Sequence, residues 1–260
     1  MRDFHIHSNY SDGDFLGGMV RAAEAAGLEG VGLADHCNVA PRDRLERMRG
    51  LYGFNLDLTY ERRREAIERL RERRSIEIYD AVEMDYDPRD EDAIDRFLAE
   101  AGFDYAIGSV HEVDGKNVQV SSQFTDLSAE ARDAVVDEYF DRLVSLIESE
   151  LFDIAAHVDL IERTRPLRER ATTDHYRRVA RAFADSRTIP EINAGRALTD
   201  AEIVHPGEEF LEILREHSVA VTVGTDSHEP DEIGDRVEFL ENFFAREGLE
   251  PATPPSLERD

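Results

Sequence analysis

Six of the nine histidines in this chain stand at the ends of short apolar runs, and another such run ends at a glutamate. Two aspartates lie beside the same run ends. The nine residues are His5, His7, Asp12, His36, Glu83, His111, His157, Asp226 and His228. Imidazoles and carboxylates are common ligands of zinc, iron and manganese, and the parallel strands of a barrel bring their carboxyl ends to one mouth. The pattern therefore predicts a polynuclear metal site and metal-assisted hydrolysis.

The joint pattern is more informative than any single residue. His5 and His7 are two residues apart, so both imidazoles face the same side of a strand. A single histidine is more often structural, and an aspartate at a strand end is usually a turn former or a helix cap. Nine such groups at or just after strand ends are hard to explain in this way, because burying many unpaired polar groups is costly. His175 and His217 lie in helical segments and are left out of the site.

Strands must position these residues, and apolar runs alternate with amphipathic segments along the whole chain. The predicted strands lie near 2–7, 30–35, 76–83, 104–110, 153–157, 189–193 and 219–225. The predicted helices lie near 15–26, 59–74, 90–101, 128–149, 173–185, 207–216 and 235–247. Such alternation is typical of parallel sheets, so we expect one α/β domain. Gly27 and Gly102 are expected to end helices, and Ser128 is expected to open one.

Two segments do not fit the alternation. Residues 37–58 are expected to be irregular and to form a lid over the mouth. Residues 251–260 carry three prolines. We therefore expect residues 1–250 to form the domain and residues 251–260 to form a flexible tail.

The chain is strongly acidic, with a formal net charge of −27, and Lys116 is its only lysine. Such a halophilic acidic surface is typical of proteins in concentrated salt, where self-repulsion is screened. It argues against a nucleic acid duplex as partner, because no basic patch is present to neutralise phosphates. The arginines of segment 62–74 alternate with glutamates, and we interpret them as solvated ion pairs on a helix.

Other bulk features predict a cytoplasmic protein. Cys37 is the only cysteine, so no disulfide forms within the chain. The apolar runs are too short to cross a bilayer, and a strand that starts at residue 2 leaves no room for a signal peptide. The sequence leaves the oligomeric state open.

Five motifs, taken in order, resemble those of the PHP (polymerase and histidinol phosphatase) family. They are His5-Ile6-His7-Ser8-Asn9-Tyr10-Ser11-Asp12-Gly13, Ala34-Asp35-His36, Gly108-Ser109-Val110-His111, Ala156-His157-Val158-Asp159-Leu160 and Gly224-Thr225-Asp226-Ser227-His228. Segments 81–86 and 104–111 resemble the stand-alone histidinol-phosphate phosphatases of that family. The resemblance implies a distorted seven-stranded (β/α)7 TIM-like barrel with three divalent cations, which are zinc, manganese or iron.

The resemblance also implies how the ligands are shared. His5, His7, Glu83 and Asp226 would hold the first cation, and Glu83, His111 and His157 the second. Asp12, His36 and His228 would hold the third, although many relatives have histidine in place of Asp12. Asp35 and Asp159 are expected to orient an imidazole or to cap a turn. Cys37 is not expected to act as a nucleophile, because a hydroxide between two cations would attack phosphorus directly.

A phosphatase that acts on L-histidinol phosphate, in histidine biosynthesis, is the function that the resemblance favours. Glu83, Asp226 and Arg163 would be catalytic. Arg163 is expected to hold the phosphate of this small metabolite, with Arg196 as the second choice. His205 either touches substrate or is a plain loop residue. Two alternatives remain open, a phosphoesterase for nucleotides or another small phosphate ester, and a non-catalytic metal-binding regulatory module.

Overall fold

The computed structural model describes residues 1–258, whose strands form one curled sheet and a small hairpin. The strands are β1 (Arg2–Ile6), β2 (Gly30–Cys37), β3 (Glu77–Asp85), β4 (Tyr105–Ser109), β5 (Glu112–Val113), β6 (Lys116–Asn117), β7 (Ile154–Ala155), β8 (Ile189–Arg196), β9 (Ile203–His205) and β10 (Thr222–Gly224). Seven of them run parallel in the order β1-β2-β3-β4-β7-β8-β10. These seven are the strands that the apolar runs predict, although β7 and β10 are shorter.

The sheet curls until its first and last strands meet. Ile6 of β1 forms a parallel bridge with Ser227, just beyond β10. The amide of His7 donates to the Ser227 carbonyl at 2.9 Å, and the amide of Asp226 donates to the His5 carbonyl at 2.8 Å. The expected distorted seven-stranded (β/α)7 barrel is therefore confirmed, and its closing seam runs between two of the histidine-containing motifs.

Eight α-helices connect the strands and cover the outside of the sheet. They are α1 (Leu16–Ala25), α2 (Asp43–Tyr52), α3 (Tyr60–Arg71), α4 (Glu91–Ala101), α5 (Ala129–Glu148), α6 (Thr173–Ala184), α7 (Glu208–Glu216) and α8 (Pro230–Glu247). The helix boundaries expected at Gly102 and Ser128 are confirmed. Gly102 ends α4 in the left-handed conformation, and the Ser128 hydroxyl caps α5 by accepting the Ala131 amide. Within residues 1–258, no helix is both long and apolar enough to cross a membrane.

Four features differ from the expectation. Segment 37–58 contains α2, so it is not wholly irregular. The β5–β6 hairpin follows His111, and β9 pairs antiparallel with β8. Helix α8 begins at Pro230, five residues earlier than expected, because Pro230 occupies its first turn and Glu229 and Glu232 form a capping box. These short or polar segments lack the apolar periodicity that reveals the other elements.

Residues 251–258, which are expected to belong to a flexible tail, make hydrogen bonds to the barrel. The Ala252 amide donates to the Val221 carbonyl at 2.8 Å, and the Thr222 hydroxyl donates to the Ala252 carbonyl at 2.7 Å. The Ser256 amide donates to Asp153 at 2.9 Å, and Leu257 packs beside the barrel core. Backbone hydrogen bonds therefore fix this segment despite its prolines. Residues 259–260 lie outside the described residues.

The arginine-rich helix α3 is only partly a solvated ion-pair face. Arg62 is exposed and pairs with Glu65, as expected. Arg63 instead is fully buried and donates to Asp35 at 2.8 Å and to Asp80 at 2.7 Å. The interpretation of Arg63 as a surface charge is therefore wrong. Its charge is held by carboxylates from β2 and β3, which the helical pattern alone does not reveal.

Candidate metal centre

The carboxyl ends of the parallel strands surround a polar cavity of about 390 Å³. Seven of the nine expected ligands line it, together with Arg163 and Arg196, while His5 and His7 are completely buried beside it. A larger groove of about 1030 Å³, between α6, α7 and α8, is lined by none of the nine. The strands thus bring together residues that are more than 200 positions apart in the sequence.

Glu83, near the end of β3, is the central side chain of this cluster. It is 1% exposed. Five imidazoles surround its carboxylate, each with a ring nitrogen 2.8–3.6 Å from one of its oxygens. They belong to His5, His7, His36, His111 and His157. A carboxylate in this position can bridge two cations.

A second group gathers around Asp12, which lies in the loop after β1. Its Oδ1 atom is 3.4 Å from Nε2 of His228, 3.7 Å from Nε2 of His36 and 3.8 Å from Nδ1 of His7. These four residues form one potential metal-binding group. His5, His7 and Glu83 form another, and His36, Glu83 and His111 form a third. His7 and His36 therefore lie between groups that the family resemblance keeps separate.

Asp226 closes the cluster at the barrel seam. Its Oδ1 atom lies 3.3 Å from Nε2 of His7. Its backbone has a positive φ of 52°, which is uncommon outside glycine. Gly195 faces it closely, since a Cβ atom there would lie only 2.6 Å from Oδ2 of Asp226. This glycine is therefore required for the carboxylate to occupy its position.

Two other carboxylates contact the ring nitrogens of His5 and His111 that do not face Glu83. Oε2 of Glu191 lies 2.9 Å from Nδ1 of His5, and Oδ1 of Asp85 lies 2.6 Å from Nδ1 of His111. Such contacts fix the orientation and tautomer of a ligating histidine. Asp85 is missing from the sequence-based site, although it lies two residues after Glu83 on β3 and so shares its face.

Asp35 and Asp159 each bond to a group other than the nearest histidine in the sequence. Asp35 accepts the Ser8 amide at 2.7 Å and the Ser11 hydroxyl at 2.8 Å, so it caps the turn after β1. Asp159 contacts His205 at 2.5 Å, not His157. Turn capping was one of the two roles expected for Asp35, whereas the partner of Asp159 is a residue distant in sequence.

The electrostatics of the cluster favour bound cations. Burial opposes ionisation of Glu83, yet the charges of His36, His5 and His111 hold the pKa of its carboxyl well below its usual range. Burial lowers the pKa of His7 to about 4, with help from His228 and His36, and it lowers the pKa of His157 to about 4 as well. Burial opposes protonation of four other histidines, but nearby carboxylates raise their pKa; these are His5, His36, His111 and His228. Metals bind anionic carboxylates and neutral imidazoles, so cations that bind here would displace the protons of those four rings.

The residues present fit divalent metal ions. They supply mixed nitrogen and oxygen donors, which suit zinc, iron or manganese better than calcium or magnesium. In addition, Nδ1 of His157 is buried and has no hydrogen-bond partner among the described residues. An unpaired polar atom in the interior is costly unless another group binds it.

The three expected substrate-binding residues have different surroundings. Arg163 and Arg196 line the cavity. One Nη atom of Arg163 lies 3.3 Å from Oδ2 of Asp226 and 3.1 Å from Oδ1 of Asn193. His205 is completely buried, and both of its ring nitrogens have protein partners. Neither ring nitrogen of His205 is therefore free to face the cavity.

Comparisons with known proteins agree with this geometry. The family model described as "PHP domain" matches residues 3–195. A histidinol-phosphatase from Lactococcus lactis subsp. lactis (strain IL1403) is 26% identical over 239 residues, which cover 87% of this chain and 83% of the relative.

Two solved structures share the fold. One is a histidinol phosphate phosphatase from Lactococcus lactis subsp. lactis, in complex with zinc, L-histidinol and phosphate. Its TM-score is 0.77 at 21% identity, and the match covers 98% of this chain and 97% of that chain. The other is a putative histidinol phosphatase from Listeria monocytogenes, with a TM-score of 0.72 at 17% identity over 90% of this chain and 97% of that chain. Because the family model spans most of the sequence, this chain belongs to the PHP family.

Proposed function

We propose that this protein is a metal-dependent phosphomonoesterase that hydrolyses L-histidinol phosphate to L-histidinol and phosphate. One observation carries the proposal: five imidazoles surround the buried carboxylate of Glu83 beneath a cavity that also presents the guanidinium of Arg163. This combination suits a substrate with a phosphate group, because a cation cluster and a guanidinium fork both bind phosphate oxygens.

The nine strand-end residues would hold up to three divalent ions. We assign His5, His7, Glu83 and Asp226 to the first site, and His111 and His157, with a shared Glu83, to the second. Asp12, His36 and His228 would form the third, with His7 close enough to contribute. Bound ions would supply an activated water and would neutralise phosphate charge. We propose zinc, manganese or iron as the ion, because the donor set accepts all three.

The chain's own residues then have distinct tasks. Arg163, whose side chain is 11% exposed, would hold a phosphate oxygen with its Nη atoms. Arg196, which also lines the cavity, is exposed and would attract the anion from solution. Glu191 and Asp85 keep the imidazoles of His5 and His111 in place throughout the reaction.

The choice of substrate rests on relatives. The Lactococcus structure contains L-histidinol and phosphate, which are the two products of the proposed reaction. The cavity of about 390 Å³ also suits a small metabolite and is too small for a nucleic acid duplex.

A comparison of substrates tests the function. Phosphate release should be measured with L-histidinol phosphate, nucleoside monophosphates and nucleoside bisphosphates, each with added zinc or manganese. We expect kcat/KM to be highest for L-histidinol phosphate. A higher value for a nucleotide would overturn the substrate assignment but keep the phosphoesterase class. A metal-loaded protein that hydrolyses none of them would instead indicate a metal-binding regulatory module.

Two variants test the site itself. His7→Ala and Asp226→Ala should each abolish turnover, because each removes a side chain from the centre of the cluster. His217→Ala is a suitable control, since His217 caps the end of α7 and its Nδ1 atom bonds the Ile213 carbonyl away from the cavity. Activity retained by His7→Ala or Asp226→Ala would reject the ligand assignment, whatever the substrate is.

A further inference from the structure

Arg163 is held by a buried hydrogen-bond chain that starts outside the cavity. Oδ2 of Asp159 accepts the Gly207 amide at 2.8 Å, and Oδ1 lies 2.5 Å from Nδ1 of His205. On the other side of the same imidazole, Nε of Arg163 donates to Nε2 of His205 at 2.9 Å. Asp159 is 1% exposed and His205 is fully buried. This pair therefore has no direct access to a substrate.

The chain permits one arrangement of protons. An ionised aspartate only accepts hydrogen bonds, so Nδ1 of His205 must carry its proton. The guanidinium of Arg163 only donates, so Nε2 of His205 must keep its lone pair. A doubly protonated imidazole would place an N–H against the N–H of a guanidinium. Asp159 therefore selects the neutral tautomer that can accept from Arg163.

The direction of Arg163 follows from this contact. With its Nε–H engaged by His205, the guanidinium plane is fixed, and Nη2 lies near Asn193 and Asp226 at 3.1 and 3.3 Å. His205 itself is held by β9, where it pairs in register with Asn193 of β8. The same strand pair thus carries two of the residues that contact the guanidinium, His205 and Asn193.

We propose that Asp159 and His205 are positioning residues, which fix the tautomer of His205 so that Arg163 presents its Nη atoms to the phosphate group. This inference deepens the proposed function and rests on it. The sequence left His205 open as a substrate contact or a plain loop residue, and the structure buries it in β9. The pair acts on phosphate only through Arg163.

Asp159→Asn is the most direct variant, because the side chain keeps its shape. An asparagine that turns its amide N–H towards Nδ1 of His205 moves the imidazole proton to Nε2. The N–H of Nε2 then faces the N–H of Arg163, and the hydrogen bond between them is lost. We expect the affinity of the metal-loaded protein for inorganic phosphate, measured by calorimetry, to fall by about tenfold, the effect of one charge-assisted hydrogen bond. The KM should rise by a similar factor, with a smaller change in kcat.

Asp137→Asn is a control for the loss of an aspartate–histidine contact outside the cavity. Asp137 also contacts a histidine, with its Oδ1 atom 2.9 Å from Nε2 of His175, but this pair lies between α5 and α6 and outside the cavity. The control should retain wild-type phosphate affinity and KM. A loss as large as that of Asp159→Asn would assign the effect to general destabilisation and would overturn the proposal.

Two substitutions of His205 separate its two contacts. His205→Gln places an amide oxygen near the position of Nε2 and can still accept from Arg163, so KM should stay within about threefold of wild type. His205→Asn places its amide near the position of Nδ1. It keeps the hydrogen bond to Asp159 and loses the one from Arg163, so KM should rise about tenfold. Equal effects of the two variants would contradict the proposal.

A double-mutant cycle gives the decisive readout. If Asp159 acts only through Arg163, then Asp159→Asn should add no loss of phosphate affinity once Arg163→Ala is present. Additive losses in an enzyme that remains active would overturn the positioning role but would leave the proposed function intact. A wild-type protein that neither binds phosphate nor hydrolyses any phosphate ester would overturn the proposed function together with this inference.

Nitrogen NMR of ¹⁵N-labelled imidazoles provides a readout that needs neither metal nor activity. In the wild-type protein, His205 should show a protonated Nδ1 and an unprotonated Nε2, and the signals should exchange roles in Asp159→Asn. A wild-type His205 with protonated Nε2 would exclude the proposed chain of donors and acceptors.

Discussion

Glu83 illustrates why single residues matter so much at this site. Its carboxylate is within 3.6 Å of five imidazoles that come from four different strand ends. Burial of one anion among so many rings is tolerable because their combined positive charge stabilises it. Bound cations would supply this positive charge in place of the imidazoles. The neighbours that orient the imidazoles are then the residues whose removal should be most informative.

Asp85→Asn tests one of these neighbours. Its Oδ1 atom lies 2.6 Å from Nδ1 of His111, so the change removes the carboxylate that fixes this imidazole. We expect metal affinity, measured by competition with a chelator, to fall about 10- to 100-fold. Asp95→Asn, on the exposed face of α4, serves as control. Unchanged affinity in Asp85→Asn would show that His111 needs no such support.

Arg63 is a second residue whose environment gives a clear expectation. It is fully buried between Asp35 and Asp80, so Arg63→Met would leave Asp35 without its cation in the interior, while Asp80 would keep only Arg64. We expect the free energy of unfolding in urea to fall by about 3–5 kcal/mol. Arg62→Met should have almost no effect, because Arg62 is 75% exposed. Similar losses in both variants would argue against this explanation.

At the level of the elements, the sequence predicted the repeated units better than the irregular ones. All seven parallel strands and seven of the eight helices follow from apolar runs and cap residues such as Gly102 and Ser128. Helix α2 could not be predicted in this way, because Leu45 is its only buried residue. Strand β9 is three residues long, too short for a periodic signal.

The site could be predicted as a set of residues but not as a set of contacts. Alternation along β1 and the position of residues at strand ends were enough to bring the nine side chains together. The contacts of Asp159 with His205 and of Asp35 with Ser8 depend on loop geometry that the sequence does not encode in a repeating pattern. Such contacts require the structure.

The connection between β3 and α4 gives a prediction about pH. Burial opposes ionisation of Asp87, but hydrogen bonds from Arg89 and the charge of Arg142 on α5 lower its pKa from the ordinary 3.8 to about 2. A carboxyl group with a lowered pKa stabilises the folded state above its unfolded pKa and loses this contribution as the pH falls through the folded value.

Asp87→Asn should therefore be less stable than wild type near pH 7, by about 1 kcal/mol after solvent screening. The difference should shrink between pH 4 and pH 2 and vanish below. Urea unfolding at several pH values measures this change. A difference that stays constant down to pH 2 would show that Asp87 contributes through packing and not through its charge.

For the whole molecule, charge is the dominant feature. The net charge of −27 produces strong self-repulsion in dilute buffer. We expect the melting temperature to rise as potassium chloride increases from about 0.1 M to 2 M, because the Debye length shortens from about 10 Å to below 3 Å. Sucrose at equal osmolality controls for effects other than screening. A melting temperature that is independent of salt would contradict the proposed adaptation to concentrated salt.

The β5–β6 hairpin has a practical consequence for experiments. It carries Lys116, the only lysine side chain in the sequence, and its chain continues to Gln119 at the cavity edge. Amine-directed reagents will therefore modify one side chain, on the hairpin that leads to the cavity edge, and a surface coupled through that lysine would hold the protein by this hairpin. A fluorescent dye attached at Lys116 would report on ligand binding and release at the cavity, without any engineered cysteine.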